Sequence, residues 1–327
     1  MRIRRILVTV KDPSATAPAA VAKAGQLARA LGAHVELFHA LTAPLMIDAY
    51  SSLSGALTEI EDATGARALA HLEKMTVPLR RGGIAVTTAV EWDYPAHEAV
   101  LRRADRIRAD LIVADRHAGQ HAFPSILKLT DWELLRLSRV PVLLVKTAGV
   151  YRKPVILAAL DPGRSYSKPA SLDRRILTAS GLFAEQLHGT MHAVHAYVPI
   201  SEPILATGIL DEGTLAAVES DAVAKATSRF ERALRNTRIP ARRRHLVAQH
   251  PIEAIDTTAR EIGSAIVVMG AVSRSGLKRF VIGNTAETLL DRLDCDLLIL
   301  KPYGFAARVP SSPRGVHLVS LASVAGV

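Results

Sequence analysis

The chain reads as an α/β protein built of two tandem, doubly wound parallel sheets, each of five strands in the order 3-2-1-4-5. Three observations lead there. Short continuous apolar runs, such as Ile266 to Met269 and Leu297 to Leu300, have strand length and lack polar alternation, as strands buried on both faces do. Helix-length amphipathic segments separate such runs, and that alternation implies parallel strands joined by right-handed crossovers. The pattern then occurs twice.

The repeat is legible residue by residue. The run from Arg5 to Asp12 and Pro13 returns from Pro154 to Asp161 and Pro162. Val35 to Ala40 returns as Met191 to Ala196, and Asp110 to Asp115 as Ala265 to Gly270. Thr130 to Thr285 and Val142 to Leu297 share one offset of 155 residues. A period this long is a duplicated domain rather than a solenoid repeat. Domains are expected at 1–148 and 149–302. The tail, 303–327, holds Pro310, Ser311, Ser312, Pro313 and Gly315 and is expected to be flexible.

In the first half the pattern predicts a strand over Arg4–Val10 and a helix over Ala17–Leu31, ended by Gly32. A second strand follows at His34–His39. A long helix is expected to carry Leu57, Ile60, Leu69 and Leu72 on one face. Then come a strand at Ile84–Glu91, a helix at Ala96–Arg108, a strand at Leu111–Ala114, a helix at Asp131–Ser138 and a strand at Val142–Val145. Thr147–Arg152 is the linker. The second half repeats this order, with a long helix near Leu215–Arg235 and a third strand near His245–Ala248.

Composition narrows the class. With 327 residues and 49% hydrophobic content the chain can bury two ordinary cores. Its single cysteine, Cys295, allows no intramolecular disulfide, which suits a reducing cytoplasm. No run approaches the ~20 apolar residues of a membrane span. The net charge is +10, but the basic residues are spread along the chain, aromatics are 4%, and no dedicated nucleic-acid motif appears. Arg242, Arg243 and Arg244 open a sheet-edge strand, where charge blocks unwanted strand pairing. His117 and His121 share a loop with Asp115 but lack a further ligand cluster, so no metal site is expected.

Doubly wound sheets bind ligands beyond the carboxyl ends of strands one and four. Asp12 and Asp161 end the first strands, while Asp115 and Gly270 end the fourth. In the first half the carboxylates Asp12 and Asp115 would repel a phosphate, so that site is read as degenerate. In the second half Gly270 opens a small-residue loop, and Gly283 precedes a helix at Asn284 and Thr285. Two readings stand. The glycines admit backbone N–H groups to an anion at a helix N-terminus. Alternatively, Gly283 turns the chain and Asn284 with Glu287 caps the helix.

The stretch from Gly270 to Glu287 resembles the C-terminal signature of the universal stress proteins: Gly, two residues, Gly, nine residues, then Gly and Ser/Thr. Gly270 and Gly283 match, while Ser273 stands for Gly and Asn284 for Ser/Thr. The continuation from Gly283 to Glu287 and the degenerate first half resemble the tandem, E-type members. The resemblance implies an adenine-nucleotide-hydrolase-like fold and a stress-response ligand-binding protein of the cytoplasm. It implies an adenine nucleotide such as ATP in the second half. Asp161 would take the base or ribose, Ala196 backbone and Met269 would line the pocket, and Gly270, Ser273, Gly283, Asn284 and Thr285 would hold phosphate.

No catalytic constellation is legible, so no enzyme activity is expected. The alternatives are a scaffold or apolar-ligand carrier and, less favoured, a slow ATP hydrolase with Asp161 beside the phosphate loop. The protein partners are not legible. Both fifth strands, Val142–Val145 and Leu297–Leu300, are strongly apolar, and an exposed apolar edge invites pairing. The halves are expected to pair through them as a pseudo-dimer within one chain. An isolated fragment of residues 150–303 should then dimerise in sedimentation; a well-folded monomeric fragment would refute the pairing.

Overall fold

The computed structural model describes residues 1–16, 18–42, 45–47, 54–116, 124–163, 171–199, 212–271, 284–305, 309–315 and 318–320. Two compact units divide it. One holds residues 2–150 with the described part of the C-terminal segment, the other Tyr151–Phe305.

In the first unit, β1 (Arg5–Thr9) lies between β2 (His34–Leu41) and β5 (Leu111–Asp115), parallel to both. β4 (Val86–Trp92) flanks β2, and β6 (Val142–Val145) flanks β5. The order β4-β2-β1-β5-β6 is the doubly wound one. Ile6, Leu7 and Val8 are fully buried although their side chains alternate between faces, so helices cover both sides. These helices are α1 (Ala19–Leu31), α2 (Ser54–Arg81), α3 (Ala96–Arg106) and α4 (Pro124–Leu137).

Two helices differ from expectation. Ile60 and Leu69 of α2 are 49% and 40% exposed, while Leu72 is buried. At ~100° per residue a nine-residue separation puts Ile60 and Leu69 on opposite sides. The buried stripe is Ala68, Leu72, Met75 and Leu79, at the 3–4 residue spacing of one face. α4 begins at Pro124, well before Asp131, with proline at the first helical position, where it costs no hydrogen bond.

The described residues of the C-terminal segment, 309–315 and 318–320, make defined contacts with the first unit. β12 (Leu318–Ser320) pairs in parallel with a short strand, β3 (Leu45–Ile47). Ahead of it, Arg314 donates from Nε and Nη2 to the Glu98 carboxylate at 3.0 and 2.8 Å, and its backbone N–H donates to Asp93 Oδ1 at 2.8 Å. Beneath lies Arg102, buried, with Nη2 2.6 Å from Asp93 Oδ2 and Nη1 3.1 Å from both Glu98 Oε2 and the Pro310 carbonyl. Burial works to raise the Glu98 pKa, but the Arg314 and Arg102 guanidiniums outweigh it and hold the carboxyl below its usual range. A segment over 200 positions away in sequence thus completes a buried ionic cluster.

In the second unit, β7 (Val155–Leu160) lies between β8 (Thr190–Tyr197) and β10 (Ser264–Gly270). β9 (Arg244–Ala248) flanks β8, and β11 (Asp296–Leu300) flanks β10, giving the same order. The helices are α5 (Ser171–Gln186), α6 (Glu212–Leu234), α7 (Pro251–Glu261) and α8 (Asn284–Arg292). The predicted linker is anchored at both ends. Thr147 accepts from the buried Lys23 Nζ through its carbonyl and hydroxyl oxygens at 2.7 and 2.6 Å, within the first unit. Tyr151 donates its hydroxyl to the fully buried Asp296 of the second. Arg244 bonds back to the Ile239 carbonyl and Glu231, so this edge arginine is pinned rather than projecting freely.

The ionic cluster makes a graded prediction. Asp93→Ala takes from the buried Arg102 guanidinium its shortest partner, leaving only Glu98 as counter-charge, and should lower stability by about 3 kcal/mol. Arg314→Ala removes a side chain that is 54% exposed and should cost about 1 kcal/mol. Urea unfolding of the full chain measures both; equal losses would show that the segment, not the Arg102–Asp93 pair, carries the cluster.

Candidate functional site

Asp161 follows the last residue of β7, at the carboxyl end of the central strand, and its backbone N–H is held by Asp173 Oδ1 of α5 at 3.2 Å. Gly270 ends the neighbouring β10. A Cβ on Gly270 would stand 2.6 Å from Leu172 Cδ2 and 3.0 Å from its Cγ. Leu172 is fully buried in the first turn of α5, so a side chain at 270 would make it shift. The next amide, Ala271 N–H, donates to the Leu300 carbonyl at 3.0 Å and is committed to the sheet.

The first unit solves the same contact differently. Asp115 ends β5 at the position of Gly270, and its Oδ1 accepts from Ala20 N–H at 2.8 Å. Ala20 is the second residue of α1, as Leu172 is of α5. A carboxylate there satisfies a free amide and complements the helix dipole. Asp12 closes its own turn, accepting from Ser14 N–H at 2.8 Å, and Lys11 pairs with Asp131.

Of the other predicted positions, Met269 is only 5% exposed, in register with Ile299, and Ala196 is half-buried opposite Val247. Asn284 and Thr285 form the first two residues of α8. Ser273, Gly283, His117 and His121 lie outside the described residues. The two strand-end histidines are structural. His39 Nδ1 lies 2.7 Å from the Val10 carbonyl, and burial lowers its pKa. His195 Nδ1 lies 3.2 Å from the Leu160 carbonyl, with its ring against Phe230. Among the described residues no three His, Cys, Asp or Glu side chains gather around a point that a metal could fill.

Asp161 opens onto a groove of ≈ 1010 Å³ between α5 and α6, at the upper end of small-molecule pockets, ~300–1,000 Å³. Its apolar floor includes Leu177, Gly181 and Met191. Five guanidinium groups line it: Arg174, Arg229, Arg232, Arg238 and Arg243. Sequence reasoning missed this feature. The signal was the 3–4 residue spacing of Arg174, Thr178, Gly181 and Glu185 on α5, facing Arg229, Arg232 and Asn236 after it. On the opposite face of β8, His192 stacks on His245 with ring centroids 5.3 Å apart. Burial, then His245 and Arg243, push the His192 pKa down to about 4, so that ring is neutral at pH 7.

The site geometry can be set beside known proteins. A model of the universal stress protein family matches residues 2–146 and again 155–301. Universal stress protein E of Escherichia coli K12 is 29% identical over 222 residues, 67% of this chain and 69% of that one. Its counterpart from Photorhabdus laumondii is 26% identical over 246 residues, 74% of this chain and 77% of that one. A functionally unknown protein of Pseudomonas aeruginosa PAO1 superposes with a TM-score of 0.65 at 25% identity, covering 92% of this chain and 93% of that one. A universal stress protein of Archaeoglobus fulgidus shares the fold at a TM-score of 0.58 and 15% identity, covering 91% and 98%. With one family model matched twice, once across each sheet, this chain belongs to the universal stress protein family and carries two of its domains in tandem.

Proposed function

We propose that this universal stress protein binds an adenine nucleotide in its second unit and acts as a ligand-binding stress protein rather than a catalyst. The observation that carries the reading is Asp161, a carboxylate at the carboxyl end of the central strand opening onto a groove of small-molecule size. A carboxylate there accepts hydrogen bonds from ribose hydroxyls or an amino group of the base. In this reading Ala196 backbone and Met269 stand beside the base, and Gly270, Ser273, Gly283, Asn284 and Thr285 are the loop positions open to phosphate.

The first unit is read as closed to nucleotides. Asp115 holds the first turn of α1 from the place where a phosphate would need positive potential. A buried lone Cys295 is in keeping with a cytoplasmic protein. No helix among the described residues is long and apolar enough to cross a membrane. The apolar floor of the groove favours one second reading, a carrier of an apolar molecule.

Calorimetry on the full chain tests the choice. Adenosine and ATP should each bind at one site per chain. Asp161→Ala should weaken both by roughly tenfold or more, the loss of a charged hydrogen-bond acceptor. Two sites per chain, or binding that survives Asp161→Ala and is lost in Asp12→Ala, would overturn the assignment.

A further inference from the structure

The second unit distributes its positive charge unusually. Arg174, Arg229, Arg232, Arg238 and Arg243 line one groove, and none forms an ion pair among the described residues. Elsewhere in the same unit Arg244, Arg260 and Arg292 each pair with a carboxylate, so the groove is where guanidiniums gather without one. The groove's own acids are Asp161, Asp173 and Glu185, and Asp173 already holds the Asp161 amide. The lining therefore keeps an excess of guanidinium.

We propose that the phosphates of the nucleotide run into the α5–α6 groove and are clasped by these arginines. The proposal rests on the nucleotide reading above. Three observations support it. The Ala271 amide, next after Gly270, is committed to the Leu300 carbonyl and offers nothing to phosphate. The groove is continuous with Asp161, so a nucleoside seated there meets it directly.

The third is the position of the charges. Arg229 Nη1 stands 3.3 Å from where a Cβ of Gly163 would be, which brings this guanidinium within two residues of Asp161. Arg174 lies in the first turns of α5, at the same end. Arg232 follows Arg229 by three residues on α6, and Arg238 and Arg243 continue toward the start of β9. A chain of phosphates leaving Asp161 would pass Arg174 and Arg229 first and Arg232 next. Guanidinium forks match phosphate oxygens bidentately, and an apolar floor strengthens the attraction by excluding water.

The test uses the full chain, with adenosine, ATP and inorganic tripolyphosphate as calorimetric probes. In the double variant Arg229→Ala with Arg232→Ala, ATP and tripolyphosphate should weaken roughly tenfold or more while adenosine is unchanged. Both side chains are exposed, and an unaltered melting temperature confirms that the variant folds. An ATP preference over adenosine that persists in the arginine variant assigns the phosphates elsewhere and overturns the proposal. Tripolyphosphate binding that needs the two arginines, with no adenosine binding, would keep the anion groove and discard the nucleotide reading. No binding of any probe overturns both.

Discussion

In each unit one contact decides what the ligand end of the sheet can hold: the first turn of the first helix against the end of the fourth strand. The doubly wound order brings these elements together, and a backbone amide and a strand end must share that space. Asp115 gives the first unit a charged cap on α1, worth about 1 kcal/mol by the usual measure of such caps. Gly270 gives the second unit room for Leu172, whose full burial is worth about 2 kcal/mol. Both solutions use for packing a position where the fold elsewhere places ligand chemistry.

In the first unit ion pairs gather along α3. Arg102 is sandwiched between Asp93 and Glu98, and Arg103 bridges Glu36 and Glu91. Such clusters hold a structure in one arrangement because removing one partner leaves a buried charge behind. The second unit pairs Arg244, Arg260 and Arg292 with carboxylates and lines one groove with five further guanidiniums. Five of the chain's 41 basic residues thus line one concave surface of the second unit, beside three acids.

The sheets were legible in the sequence because a strand buried on both faces leaves a continuous apolar run, and the duplication made each reading twice. β6 is found at the predicted bounds, and β1 and β11 within a residue. Faces of exposed helices were harder. The apolar residues of α2 include Ile60, which the surface tolerates, and only register distinguishes it from Leu72. The docking of the C-terminal segment was invisible. Its ion pairs join Arg314 to Asp93 and Glu98 across more than 200 residues, and Pro and Ser composition carries no trace of so distant a partner. At the site, the position of Asp161 was legible from topology alone. The contact of Gly270 was not, because the atom it meets belongs to a leucine on another element.

That last point changes how the asymmetry of the halves is understood. Asp115 and Gly270 each meet the second residue of the first helix: Asp115 accepts from Ala20 N–H, and a side chain at 270 would press on Leu172. Beside Asp161 the second unit adds a groove lined by five guanidiniums, none of which forms an ion pair among the described residues.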